Sequence, residues 1–208
     1  MPAPYAKSVF INCPFDAAYR PLLDALVFAV MDSGCVARSA REISDGAENR
    51  LEKIFRIIEG CSYGIHDLSR TELHEQNQLP RFNMPFELGL FLACKRFGVK
   101  QGRKAGLILD RQPHRYQQFI SDIAGQDIEA HDNDPSTAIR CVRNWLQTHR
   151  PKIAIPGGEA MAQRYAAFQA VLPAICEEKH VQPAELTFVD LGIAIHEWLV
   201  VNPVWVGA

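Results

Sequence analysis

Apolar positions along this 208-residue chain switch repeatedly between the period of a strand and the period of a helix. A β-rich run, Ser8-Val9-Phe10-Ile11-Asn12, ends at Cys13-Pro14. Tyr19, Leu22, Leu23, Leu26, Val27 and Val30 follow at the spacing of one helical face, which Ser33-Gly34 closes. Cys35-Val36-Ala37-Arg38 predicts a second strand. Leu51, Ile54, Phe55 and Ile58 repeat the helical spacing, with charged residues on the wet face. Ser62-Tyr63-Gly64-Ile65-His66 predicts a third strand, followed by a polar loop over residues 67–78. Residues 85–97 predict a helix that is apolar nearly all round, and therefore buried. Ala105-Gly106-Leu107-Ile108-Leu109 is apolar without alternation, as suits a strand covered on both faces. Residues 116–123 predict a short helix and residues 127–130 a short edge strand. Asp134-Pro135 then opens a helix carrying Ile139, Val142, Trp145 and Leu146 on one side.

Strands alternating with helices indicate a parallel sheet with right-handed crossovers. The pattern predicts a flavodoxin-like, doubly wound α/β domain over residues 6–150. Two prolines and two glycines within residues 151–158 predict a linker. Beyond it, Met161, Tyr165, Phe168, Leu172 and Ile175 mark an amphipathic helix, with a kink expected at Pro173. Residues 186–199 predict a last helix, its start favoured by Pro183. The expected fold is thus an α/β sheet domain with a small helical C-terminal extension over residues 151–208. That extension is too short to stand alone and is expected to pack on the sheet domain or on a second subunit. Its apolar end, Val200-Val201-Asn202-Pro203-Val204-Trp205, suggests docking onto a partner surface, and a homo-oligomer is expected.

Composition narrows the function classes. An apolar share of 48%, a charged share of 22% and a formal charge of −2 describe an ordinary globular protein. No block of Lys or Arg stands out, so no nucleic-acid partner is expected. No apolar run approaches the roughly 18 residues that span a bilayer, and residues 1–7 carry no charged-then-apolar signal. The expected location is the cytoplasm, with no membrane partner. Six widely spaced cysteines without a C-x-x-C pair suit reduced, buried thiols. G-x-x-x-x-G-K-[ST], H-E-x-x-H and G-x-S-x-G are absent, and neither a metal nor a resident cofactor is expected.

The candidate chemistry lies in Arg81-Phe82-Asn83-Met84-Pro85-Phe86-Glu87-Leu88-Gly89-Leu90. Pro85 suits the first helical position, which puts Glu87 in the first turn, where the helix dipole stabilises it by about 0.3–1 kcal/mol. Gly89 costs up to about 1 kcal/mol inside a helix, so a close approach by a strand or a ligand is expected there. In doubly wound sheets, ligands sit beyond the carboxyl ends of the strands where the strand order reverses. Asn12-Cys13-Pro14-Phe15-Asp16, Asp67-Leu68-Ser69-Arg70 and Glu87 are expected to converge at that crevice, with Arg41-Glu42-Ile43-Ser44-Asp45-Gly46 as a rim. Two carboxylates at one crevice suit cleavage of a glycosidic bond, whose oxocarbenium-like transition state needs an anion beside it. Glu87 is then the nucleophile or stabilising anion, and Asp67 positions the sugar or leaving base. Asn12, Cys13, Pro14 and Phe15 face ribose or phosphate, and Ser69 and Asn83 complete the substrate-binding set.

Plainer roles exist for several of these residues. Asp67 also suits a turn cap with Ser69, His66 a hydrogen-bonded structural residue, and Phe15 a core filler. Asp16 occupies an N-cap position; Arg50 and Arg81 suit a solvated helix face and a loop, or else phosphate contacts.

Asn83-Met84-Pro85-Phe86-Glu87-Leu88-Gly89 resembles the N-x-x-F-E-L-G element of nucleotide-binding, TIR-like bacterial proteins. A similar E-L-G opens the nucleophile helix of the related nucleoside 2-deoxyribosyltransferases, whose first strand runs into a Pro-Phe loop comparable to Cys13-Pro14-Phe15. The resemblance covers about residues 8–110 and leaves the extension aside. Those transferases carry Asp-x-Gly just before the E-L-G where this chain has Arg81-Phe82-Asn83, which brings it nearer the TIR-like group. The resemblance implies cleavage of an N-glycosidic bond with Glu87 as the catalytic residue, a nucleotide or dinucleotide as substrate, and NAD first among them. Nicotinamide would be released with a linear or cyclic product, and many proteins of this group act in antiphage defence. The alternatives are a nucleoside 2-deoxyribosyltransferase or nucleotide N-glycosidase, and a non-catalytic nucleotide sensor or partner-binding module.

Overall fold

The computed structural model describes residues 4–73, 79–99 and 104–204. Part of the loop expected over residues 67–78, and Trp205 at the apolar end, lie outside the described residues. Five strands, β1 (Ser8–Asn12), β2 (Val36–Arg38), β3 (Tyr63–Asp67), β4 (Ala105–Asp110) and β5 (Ile128–Ala130), form one sheet. All pair in parallel, in the order β2-β1-β3-β4-β5. This is the flavodoxin-like arrangement, with its reversal between β1 and β3. Register sets Asn12 beside His66 and Asp67 beside Leu109 along the carboxyl edge.

Alternation along each strand divides the core. Val9, Ile11, Ile65, Leu107 and Leu109 face a layer built from α1 (Arg20–Asp32) and α4 (Pro135–His149). Phe10 faces α2 (Arg50–Glu59) and α3 (Asn83–Phe97) on the other side. Local signals start the helices: Asp134 caps Thr137 of α4 ahead of Pro135 at its first position, where the sequence places a helix start, and Asn49 caps Leu51 and Glu52 of α2.

Helix α3 departs from expectation in three ways. It begins at Asn83, two residues early, with no side-chain cap, so Pro85 is its third residue and Glu87 falls beyond the first turn. The helix dipole therefore does less for Glu87 than the sequence predicts. The helix is not buried all round, since Phe86 is 54% and Phe97 78% exposed. Gly89 faces open space, and a Cβ there would meet nothing within 4 Å. The close approach lies in the sheet instead, because a Cβ on Gly64 would come within 2.6 Å of Phe91. Glycine in β3 is what lets α3 lie tight on the sheet.

Residues 116–123 do not form one helix but two 3₁₀ turns, Arg115–Gln118 and Ser121–Ile123. In the C-terminal extension, α5 (Gly158–Glu178) runs through Pro173, and α6 (Phe188–Val201) starts from a Thr187–Asp190 capping box after a short turn at Pro183. Both pack over α1, where the Phe28 ring meets Phe168 at 5.6 Å and Trp198 at 5.7 Å. Arg164 fixes the contact through Asp32 at 2.8 Å. The linker is pinned rather than loose, with the Arg143 guanidinium donating to the carbonyls of Ile155 and Pro156. All six cysteines carry free thiols, four of them buried. Val200 and Val201 at the end of α6 are 64% and 75% exposed. No described helix is long and apolar enough to cross a membrane.

Candidate functional site

At the switch point, the loop after β1 and the start of α3 enclose a cleft of about 620 Å³. Asn12, Cys13, Pro14, Phe15, Asn83 and Glu87 line it together. Asn12 is fixed from below. Its amide nitrogen donates to the carbonyl of Met84 at 2.9 Å and to His66 Nδ1 at 3.1 Å. A carbonyl only accepts, so the contact with Met84 identifies the amide nitrogen and leaves Asn12 Oδ1 for other partners. His66 is fully buried between Phe10 and Phe91, and burial pushes its pKa down to about 3. It is a neutral structural residue, as read from its place in the strand.

Asp67 and Ser69 do not join this cleft, which corrects the expected two-carboxylate site. Asp67 is the last residue of β3, and alternation turns it to the α1 side while His66 faces α3. Both Asp67 and Ser69 are fully buried. The Asp67 carboxylate accepts from the Ser69 backbone N–H at 2.7 Å, from the Tyr19 hydroxyl, and from His131 Nε2 at 2.9 Å. His131 Nδ1 accepts the Asn133 backbone N–H at 3.0 Å, so Nε2 is the ring nitrogen left to donate to Asp67. Burial alone would raise the Asp67 pKa; the bonds from His131, Ser69 and Tyr19 outweigh it and hold the carboxyl below its usual range. Asp67 thus takes the turn-capping role, with two further buried donors added. Tyr19 and His131 escaped the sequence reading, because only folding brings residues 48 and 64 positions away onto one carboxylate.

Glu87 has the opposite environment. Only 6% of its surface is exposed, and its one charged neighbour among the described residues is Arg50, at 3.8 Å and itself 59% exposed at the side chain. Burial raises its pKa from 4.5 to about 6, and Arg50 offsets only part of that rise. Asp16, the other carboxylate of the cleft wall, is spent: Oδ1 caps Tyr19 and Oδ2 holds Arg81 at 2.8 Å. Arg81 therefore works as a loop anchor. Cys13 is buried beneath the cleft, and burial together with Asp67 and Glu87 pushes its thiol pKa well up, which makes it a poor nucleophile.

Of the rim expected at residues 41–46, only Arg41 lines the cleft, and it also lines a neighbouring hollow together with Ile43, Ser44, Asp45 and Gly46. The Arg41 guanidinium lies 4.6 Å over the Phe15 ring. Beyond that stack opens this second hollow, of about 860 Å³, closed on its far side by Ala184, Leu186 and Phe188 of the C-terminal extension. Nothing in the sequence pointed to residues 184–188 as part of a site. Among the described residues, no group of three or more His, Cys, Asp or Glu side chains is placed to hold a metal ion.

The chain matches no protein-family model and no curated protein.

Proposed function

We propose that this chain cleaves the N-glycosidic bond of NAD, with Glu87 as the anion that stabilises or attacks the sugar carbon. The observation that carries the reading is Glu87, a buried carboxylate in the switch-point cleft that receives no hydrogen bond from the described residues and has only a long ion pair to Arg50 among them, while Asp16 is tied to Arg81 and Asp67 is walled off. One carboxylate suffices for this reaction. As the C1′–N bond breaks, its electron pair goes to the pyridinium nitrogen, and nicotinamide leaves neutral without needing a proton. Glu87 meets the positive charge growing at C1′. Water then bonds to C1′ and gives up a proton, yielding ADP-ribose. A nucleoside releases its base as an anion and calls for an acid beside it. No second free carboxylate lines the cleft among the described residues, which counts against a deoxyribosyltransferase or other nucleoside N-glycosidase. The site residues carried by this reading are Glu87 for catalysis and Asn12, Cys13, Pro14, Phe15 and Asn83 for binding.

The test is to incubate the purified protein with NAD, and separately with deoxynucleosides, and to separate the products. Nicotinamide should form from NAD. Glu87→Gln keeps the size and hydrogen bonding but removes the charge, and should lower kcat by about a hundredfold or more, equivalent to about 2.7 kcal/mol of barrier. Turnover by the parent protein should fall as pH drops through about 6, where Glu87 takes up its proton. An unchanged rate in Glu87→Gln, or no cleavage of NAD by the parent, ends the reading.

A further inference from the structure

The two hollows meet at Phe15, Asp16, Arg41 and Arg50, which line both of them. Their chemistry differs on the two sides. The first hollow holds Glu87. Three carboxylates line the second: Asp16 is paired with Arg81 at 2.8 Å, and the exposed Glu185 and Asp45 accept the backbone N–H groups of Gln182 at 3.0 Å and Ala47 at 2.9 Å. The second hollow also offers apolar surface, with Ile43 44% exposed and Leu186 and Phe188 lining it as well.

The cations sort in the same way. Arg20 is bound to Asp24 and to the Leu186 carbonyl, Lys53 to the Ile43 carbonyl, and Arg81 to Asp16. These side chains build the walls. The two at the junction make no side-chain hydrogen bond to any described residue, and only Arg50 has an ion pair, the long one to Glu87. Arg41 makes no side-chain hydrogen bond or ion pair to any described residue and only stacks on Phe15. Arg50 makes no hydrogen bond to any described residue, and its nearest carboxylate oxygen, on Glu87, is 3.8 Å away. Two guanidiniums with free N–H groups, held between a reactive hollow and an apolar one, match two linked phosphates by charge and by forked geometry.

We propose that Arg41 and Arg50 bind the pyrophosphate of a dinucleotide whose second nucleoside lies in the hollow closed by residues 184–188, so that the C-terminal extension is part of the substrate site. This rests on the reading of Glu87 as the reacting group in the first hollow, and it adds where the remainder of the substrate is held and by what. The base packs on the apolar wall supplied by Ile43 and Phe188, as bases do on apolar and aromatic faces. An isolated nucleoside fills only the first hollow and forgoes both arginines, which makes the extension a selectivity element for dinucleotides.

The experiment measures binding by calorimetry on the full chain, with ADP-ribose and nicotinamide mononucleotide as probes and a melting curve for each variant. Arg41→Ala and Arg50→Ala should each weaken ADP-ribose by about tenfold or more. Ala184→Trp narrows the second hollow from an exposed position, and should weaken ADP-ribose by about tenfold while shifting the mononucleotide by less than about twofold. Arg41→Ala removes no hydrogen bond or ion pair to any described residue and only the stack on Phe15, so it keeps the test decisive if the Trp variant does not fold. ADP-ribose affinity that is immeasurable in the parent, or unchanged in the arginine variants, overturns the proposal. The two readings fail separately. A protein that binds ADP-ribose through Arg41 and Arg50 but leaves NAD intact keeps the subsite and loses the catalysis. A protein that cleaves NAD with a KM indifferent to all three variants keeps the catalysis and loses the subsite.

Discussion

Asp67 and Glu87 both stand near the carboxyl end of β3, and the sheet separates them into opposite worlds. Asp67 is fully buried, receives three hydrogen bonds and is held in its charged form. Glu87 is nearly as buried, yet it receives no hydrogen bond from the described residues, and its pKa is driven up to about 6. A carboxylate whose donors are all supplied by the protein stabilises the fold and has nothing left for a ligand. One that is desolvated without donors costs stability, and that cost makes sense where a ligand supplies the missing positive charge. The difference between these two carboxylates is thus one of hydrogen-bond satisfaction rather than burial.

The sharpest test of this contrast is Asp67→Ala. It leaves the Tyr19 hydroxyl, the His131 N–H and the Ser69 N–H as buried donors without their acceptor, and should cost about 3–5 kcal/mol in urea denaturation. Folded protein at low temperature should still turn over at a rate much nearer the parent's than Glu87→Gln. A loss of turnover as deep as that of Glu87→Gln would erase the distinction.

Glu87→Gln should do the reverse and stabilise the protein. A folded-state pKa above the unfolded one means that the neutral form is preferred in the fold. Its stabilising contribution is fully present below 4.5 and is lost as pH rises through about 6. The Gln variant stays neutral, so at pH well above 6 it should exceed the parent by about 1–2 kcal/mol, with the gap closing below 4.5. Taking the difference between variant and parent removes the opposite trends of His66 and Asp67. Their lowered pKa values withdraw stability as pH falls, His66 from near 6.5 downward and Asp67 below about 3.8. A Gln variant less stable than the parent at high pH would place Glu87 among the satisfied carboxylates.

Gly89→Ala gives the smallest effect and bears on the helix that carries Glu87. With nothing within 4 Å of the new methyl group, the substitution should stabilise α3 by up to about 1 kcal/mol, read as a rise in Tm. A loss of stability would mean that Gly89 is needed for a close approach after all.

The order of elements was legible in the sequence because each strand and helix buries its own periodic set of apolar residues. Alternation and helical spacing report that burial without reference to anything distant. Val9, Phe10 and Ile11, or Ile139, Val142 and Leu146, sort to core faces on pattern alone. The switch point followed from the same order, and with it the meeting of Asn12, Phe15, Asn83 and Glu87. What the sequence could not decide was which side of the sheet each polar residue at a strand end would take. His66 and Asp67 are neighbours, and a one-residue step sends them to opposite faces. Nor could it show that a histidine at 131 and a tyrosine at 19 would satisfy Asp67, that Gly64 rather than Gly89 admits the close contact, or that residues 184–188 would close a hollow beside Arg41. Those facts depend on contacts between segments far apart in the chain. Local periodicity carries no record of them, and only the packed tertiary structure fixes which polar groups are satisfied and which are left open to a ligand.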